Sequence, residues 1–343
     1  MRRLSVMAGA AAALAAVTVG ALAWYWLRGR RKRIPKSVTG TFSNGMAYAR
    51  WGSGTKTLLL IPGGPGNVVP TGWELSTYLR AARLLVEDGY TAWVVTRKQD
   101  MPQGHSIADM ADDYGQLIAD EFDGKVDVVL GTSLGGMIGF YLAAGHPDRF
   151  SHIAIVVAGH EVSERGKEAE LTYARLLSEG RQGEAFAALF QYLYPNVRVP
   201  GVARVFGALM GPIVYRGAHP SFRSDVMVEA EAEVAFDARE ILPAISVPVL
   251  LVGGDQDQYF ARGVVEETAR LIPDCTLKLY EGKDHLGAVS DKRLPQDVSD
   301  FVRQRPRVQP ERDAEQSALI DQQTFATDPL VSPTPSPVGE AVG

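Results

Sequence analysis

The chain has 343 residues, 46% of them hydrophobic and 22% charged, which suits one large α/β domain with an insertion, or two smaller domains. Its formal charge of -5 lacks the electrostatic footprint of a nucleic-acid binder, so no nucleic-acid partner is expected. A single cysteine, Cys275, excludes an intrachain disulfide. In the strand-like Cys275-Thr276-Leu277-Lys278-Leu279-Tyr280 it reads as a small core residue and not as a nucleophile.

Residues 4–27 carry no charge and are rich in Ala, Val, Leu and Gly, long enough for the about 20 residues that cross hydrocarbon as a helix. Trp24, Tyr25 and Trp26 would sit among headgroups. Arg28, Arg30, Arg31, Lys32 and Arg33 outweigh Arg2 and Arg3, which puts the main body in the cytoplasm. The expectation is an N-terminal membrane anchor over 1–33. Its alternative is a cleaved signal peptide and a secreted body, because Ala21-Leu22-Ala23 is an acceptable cleavage site.

After a linker containing Pro35, the stretch from Thr41 to Tyr48 predicts a hairpin, with Asn44-Gly45 supplying a type I′ turn. Thr57-Leu58-Leu59-Leu60-Ile61 is the continuous apolar run of a strand buried on both faces. It ends in Pro62-Gly63-Gly64-Pro65-Gly66-Asn67, a loop whose N–H groups can point into a cleft. A helix over 73–87, a strand over 90–96 and a helix from Ser106 to about 122 follow, the last opened by a capping box with Asp109. Then come a strand over 126–130, a helix over 134–144 and a strand over 150–158. Strand and helix in strict turn imply right-handed crossovers and a mostly parallel α/β sheet flanked by helices.

That rhythm stops over 161–241, where charged and apolar stretches such as 186–190 and 202–210 predict a helical lid and no buried strand. It resumes with a strand at 247–254, a helix at 262–271, a strand at 275–280 and a last helix at 295–302. The core is therefore expected over 34–160 and 242–304. Residues 305–343, dominated by Pro, Gln, Asp, Ser and Thr, predict a disordered tail.

Chemistry concentrates at Gly131-Thr132-Ser133-Leu134-Gly135-Gly136, where an apolar strand runs straight into a helix. A Gly-x-Ser-x-Gly at such a junction is the recipe for a nucleophile elbow, a turn so sharp that the serine hydroxyl is thrust clear of the sheet. Ser133 needs a base, and of six histidines His285 is the choice because it follows the last strand. His160 ranks second. His146 reads as a cap on the dipole of the elbow helix. The acid that holds the imidazole is Asp255 or Asp257, both on the loop after the 247–254 strand. Asp284 is too close in sequence to His285 to orient it. The Leu134 N–H is one oxyanion donor. Pro62 and Pro65 have no N–H, so Gly63 or Gly64 supplies the other. The constellation calls for no cofactor and no metal.

From about residue 41 to 302 these motifs resemble the α/β-hydrolase superfamily, and the stretch around Ser133 is similar to the nucleophile motif of its lipases and esterases. Pro62-Gly63-Gly64-Pro65-Gly66 resembles their His-Gly-Gly-Pro-Gly oxyanion loop, with Gly64 at the donor position. The resemblance places the acid three residues after the last glycine, at Asp257, and matches Glu281-Gly282-Lys283-Asp284-His285 to the histidine loop. Three departures stand out, the mildest being Thr132, which stands before the serine where His is frequent and is well tolerated. Pro62 replaces the usual histidine of the oxyanion loop, and Arg97-Lys98-Gln99-Asp100-Met101-Pro102 replaces an Arg-Gly-x-Gly-x-Ser turn.

The resemblance implies a serine hydrolase acting on a small-molecule ester through an acyl-enzyme, and the apolar lid and the anchor favour a lipophilic acyl group. A prolyl-aminopeptidase-like peptidase is the runner-up; Glu161, Glu164 or Glu168 could serve it as anionic sites for a substrate amine, but they read first as a solvated helix face. A non-catalytic, membrane-tethered binding protein is the alternative outside enzymes.

Overall fold

A computed structural model describes residues 37–70, 72–193, 201–214 and 219–304. The hairpin is formed by β1 (Val38–Thr41) and β2 (Ala47–Trp51). Its turn differs from the type I′ expectation. Of the central pair, only Gly45 has a positive φ, 87°. The Gly45 N–H bonds the Phe42 carbonyl at 3.0 Å, so Ser43 and Asn44 make the turn and Gly45 is the extra, left-handed residue. Asn44 uses its side chain instead, Oδ1 accepting from the Met46 N–H at 3.1 Å.

Six further strands complete the sheet: β3 (Lys56–Ile61), β4 (Tyr90–Val95), β5 (Val128–Thr132), β6 (His152–Val156), β7 (Val249–Gly254) and β8 (Cys275–Tyr280). Their order is β1-β2-β4-β3-β5-β6-β7-β8. The pairs β1–β2 and β2–β4 are antiparallel, and every pair from β4 onward is parallel. The central strands explain why a parallel sheet reads as unbroken apolar sequence. Leu59 and Ile61 of β3 enter one core cluster while Leu58 and Leu60 enter the other, and β5, β6 and β7 divide in the same way.

One face is covered by α3 (Ile107–Glu121), α4 (Leu134–Gly145) and α9 (Arg262–Leu271). The other is covered by α1 (Gly72–Ala81), α2 (Arg83–Glu87) and α11 (Leu294–Gln304). The helix expected over 73–87 is thus interrupted at Ala82. The capping box stands as read: Ser106 Oγ accepts from the Asp109 N–H at 3.2 Å, and the Asp109 carboxylate accepts from the Ser106 N–H at 2.8 Å.

Among the described residues, four α-helices lie between β6 and β7: α5 (Glu164–Ser178), α6 (Gln182–Leu193), α7 (Val202–Val214) and α8 (Phe222–Ala235). Tyr173, Leu177, Phe222 and Val226 form one small core among them, and Phe190, Phe206 and Met210 another. A short helix, α10 (His285–Val289), was not anticipated. Asp284 caps it by accepting from the Gly287 N–H at 2.7 Å.

The membrane reading requires correction. Residues 4–27, on which the anchor was placed, lie outside the described residues, as does the 305–343 tail. Among the described residues no helix is long and apolar enough to cross a membrane. The longest, α3 and α5, have 15 residues and rise about 23 Å, against about 30 Å of hydrocarbon. The membrane partner and the membrane-anchored, cytoplasm-facing location are therefore withdrawn.

Candidate active site

Strand β3 leads to β4 on one side of the sheet, whereas β5 lies on the other, so the strand order reverses between the carboxyl ends of β3 and β5. Such a reversal opens a crevice where loops diverge. The glycine-rich loop leaves β3 there, and Ser133 leaves β5.

Ser133 has φ 53° and ψ -120°, a conformation that an L-residue adopts only when its surroundings impose it. Its N–H bonds the Val156 carbonyl at 2.9 Å, and its carbonyl accepts from Gly136 and Met137 at 2.7 and 3.0 Å. The flanking glycines are required by contact: a Cβ at Gly131 would run into the Gly135 carbonyl oxygen, and one at Gly135 into that of Ile61.

His285 reaches Ser133 from α10. Its Nε2 lies 3.1 Å from Ser133 Oγ, and its Nδ1 lies 2.8 Å from Asp257 Oδ2. A carboxylate only accepts, so Nδ1 carries the proton and the Nε2 lone pair faces the serine hydroxyl. The other carboxylate oxygen of Asp257 accepts from the Tyr259 and Phe260 N–H groups at 2.8 and 3.3 Å, which fixes it. Asp255 goes elsewhere and accepts from the Lys283 N–H at 3.3 Å. The ring of Tyr259 lies 4.9 Å from that of His285.

The remaining histidines are engaged away from Ser133. His160 is buried with Nδ1 3.1 Å from Thr268 Oγ1, and His105 and His146 pair with Asp113 and Asp112 at 2.9 and 2.8 Å. His146 does close the elbow helix, but its ring serves as a tie to α3, not as a dipole cap.

Two backbone donors at the crevice are free: the Gly64 and Leu134 N–H groups have no acceptor among the described residues. The Gly63 N–H is occupied by the Tyr78 hydroxyl at 3.0 Å. Of the two glycines left open by the missing proline N–H groups, Gly64 is the one with a donor to spare.

Arg97 was missed as a functional residue. It is fully buried at the end of β4, and its guanidinium donates to the carbonyls of Pro62 at 2.8 Å, of Gly64 at 2.7 Å and of Gly66. Its Nε bonds Glu229 at 2.8 Å, and Glu229 also accepts from the Gly66 N–H. Burial works against the charge on Arg97, but Glu229 outweighs it and holds the arginine charged. The guanidinium thus gathers the carbonyls of the loop in which Pro62 stands in place of a histidine. Arg97 was visible only as the first residue of an unusual loop; its partners lie 31 to 35 residues upstream and 132 downstream.

Tyr259 donates its hydroxyl to Glu170 at 2.7 Å. Burial, opposed by that bond, pushes the Glu170 carboxyl up to about 6. Glu170, Glu229 and Glu233 are buried, whereas Glu164 and Glu168 are exposed and Glu161 is half-buried, as a solvated helix face requires.

The model of the alpha/beta hydrolase family matches residues 58–299. A pimeloyl-[acyl-carrier protein] methyl ester esterase of Neisseria meningitidis serogroup C is 30% identical over 196 residues, 54% of this chain and 74% of that protein. Three further relatives are spanned over only 61% to 65% of their length. A 2-(acetamidomethylene)succinate hydrolase of Mesorhizobium japonicum is 24% identical over 63% of this chain and 80% of its own. Among solved structures, an esterase of Thermogutta terrifontis superposes with a TM-score of 0.58 at 19% identity. The match covers 78% of this chain and 98% of that one, a likeness of fold.

Proposed function

The chain belongs to the alpha/beta hydrolase family and is an enzyme, and from that premise we propose that it cleaves carboxylic esters through an acyl-enzyme on Ser133. His285 takes the Ser133 proton as the oxygen attacks the ester carbonyl. The developing oxyanion is received by the Gly64 and Leu134 N–H groups, the latter with the positive end of α4 behind it. His285, its charge stabilised by Asp257, then protonates the leaving alcohol. Water enters by the same route in reverse and releases the acid. The helices of 161–241 are the proposed lid over this crevice.

The observation that carries this reading is the unbroken run from Ser133 Oγ through the His285 ring to Asp257, with steps of 3.1 and 2.8 Å. Of the apolar runs that pointed to a lipophilic acyl group, Phe190, Phe206 and Met210 cluster together with Phe186 against them, whereas Val205 and Leu209 are exposed. Turnover of p-nitrophenyl acetate by the whole chain tests the reading. The expected result is hydrolysis that Ser133→Ala reduces to background. Equal rates in the two proteins would overturn it.

A further inference from the structure

Two bonds hold the edge of the His285 ring, one to Ser133 and one to Asp257. Both run in the plane of the imidazole, so its tilt falls to whatever touches its face. The ring of Tyr259 lies 4.9 Å from it and that of Phe260 6.1 Å, and these two are 6.4 Å apart, so both stand on one side. The Phe260 side chain has only packing to hold it. Tyr259 uses every polar group it has. Its N–H donates to Asp257 at 2.8 Å, its carbonyl accepts from the Ser163 N–H at 2.9 Å, and its hydroxyl donates to Glu170 at 2.7 Å.

Most of that hold comes from α5. Ser163, which caps the helix, also donates its hydroxyl to the Gln258 carbonyl at 2.7 Å. Gly166 lies so close that a Cβ there would stand 3.0 Å from Tyr259 Cδ1. One turn further on, Glu170 takes the phenol. Positions 163, 166 and 170 therefore present one face of α5 to the loop that carries Asp257. Tyr259 and Glu170 are each 5% exposed, a setting in which leaving either polar end unpaired is costly. Burial first, and then Glu170, push the Tyr259 hydroxyl well above its ordinary range, so it stays a donor. Glu170 can accept from it in either protonation state.

We propose that Tyr259 is a positioning residue for His285, and that Glu170 holds it in place from α5. The step it serves is proton transfer. His285 must present Nε2 first to the Ser133 hydroxyl and then to the leaving oxygen, without letting go of Asp257. Such transfers tolerate little misplacement, about 1 Å costing as much as about a hundredfold in rate. Neither Tyr259 nor Glu170 touches a reacting atom; they act through the imidazole. Glu170 lies 89 residues before Tyr259, so the contact makes a helix outside the sheet part of the histidine's support. The proposal rests on the ester-hydrolase reading, because it needs His285 to move a proton.

The test is steady-state kinetics on the whole chain with p-nitrophenyl acetate. Tyr259→Phe keeps the ring and deletes its hydroxyl, and kcat should fall by about tenfold to a hundredfold with KM within about twofold. Glu170→Met should lose as much. Glu170→Gln, whose amide oxygen still accepts from the phenol, should recover most of the loss. Tyr259→Phe combined with Glu170→Met cuts the same bond from both ends, so it should be no worse than either alone. It also leaves no buried group unpaired, and it decides the matter should a single variant not fold. Full kcat in Tyr259→Phe or in the double variant would overturn the proposal, as would a Glu170→Gln as impaired as Glu170→Met. Tyr192→Phe is the control: it deletes a neighbouring hydroxyl, bonded to the Gln258 carbonyl at 3.2 Å, and an equal loss there would mean general loosening and overturn the proposal too. If no ester is turned over, the hydrolase reading fails on its own. The proton between His285 Nδ1 and Asp257, identified in NMR spectra by its absence in His285→Ala, then still judges this one. Faster exchange of that proton with water in Tyr259→Phe than in the wild type supports it, and equal exchange overturns it.

Discussion

At the scale of single residues, the arrangement depends on which aspartate orients His285. Asp257 accepts from the ring at 2.8 Å and is itself held by two backbone N–H groups, so it fixes one tautomer. Asp257→Asn would offer an amide that stabilises the wrong tautomer, and kcat should fall by about ten-thousandfold. Asp255→Asn disturbs only the bond to the Lys283 N–H and should stay within a few-fold. Steady-state kinetics on one ester checks both, and equal, small losses would contradict the assignment. The buried carboxyl of Glu170 makes a second, thermodynamic prediction. Its pKa is raised from an ordinary 4.5 to about 6, so the folded chain retains a proton that the unfolded chain releases first. That contribution is full below about 4.5 and is lost as pH rises through about 6. Glu170→Gln should remove a decline on the order of 2 kcal/mol across this window. Urea midpoints measured between about pH 4 and pH 7 report it, and an unchanged slope would count against it.

At the scale of elements, the glycine loop after β3 is shaped from outside itself. Arg97 gathers three of its carbonyls and ties them through Glu229 to α8, and the Gly64 N–H has no acceptor among the described residues. Arg97→Lys keeps the charge but replaces the planar fork with a single ammonium, which cannot hold three carbonyls in that geometry. The expected result is a fall in kcat of about a hundredfold or more with little change in KM, the pattern of a lost oxyanion donor. A rise in KM with kcat intact would show that the clamp serves binding instead. Most of this scale was legible beforehand. Apolar runs located β3, β5, β6 and β7, the Ser106 and Asp109 spacing located the start of α3, and the Gly-x-Ser-x-Gly junction located the elbow. What escaped was long-range. Arg97 and Glu229 are 132 residues apart, and nothing local marks them as partners. Asp225, Glu229 and Glu233 of α8 stand at four-residue spacing in the sequence, but that pattern reads as a solvated face until the helix is placed. The turn at Asn44 was misjudged because Asn-Gly serves two turn types, and the choice lies with the Phe42 to Met46 pairing.

At the scale of the whole molecule, two core layers sandwich one twisted sheet, and the reactive groups ride on its carboxyl edge. Because alternate residues of each central strand serve opposite layers, a cavity in either should destabilise the molecule without touching the chemistry. Leu60→Ala is expected to cost about 2–5 kcal/mol in urea unfolding, with kcat unchanged in the fraction that folds. A stability near wild type would show that the layer collapses around the gap. Composition and alternation predicted this architecture because a parallel sheet buried on both faces leaves an unmistakable apolar signature. They said less about the helices between β6 and β7, whose apolar residues form two small cores of their own while Leu171, Val205 and Leu209 stay exposed.

The central claim is that Ser133, turned outward at the β5–α4 junction, is made nucleophilic by His285. Incubation with a fluorophosphonate followed by peptide mass spectrometry tests it most directly, because only an activated serine is phosphonylated at a useful rate. The account predicts a single adduct on Ser133, absent in Ser133→Ala and slowed at least about a thousandfold in His285→Ala. An unmodified Ser133, or modification that proceeds equally well without His285, would contradict it.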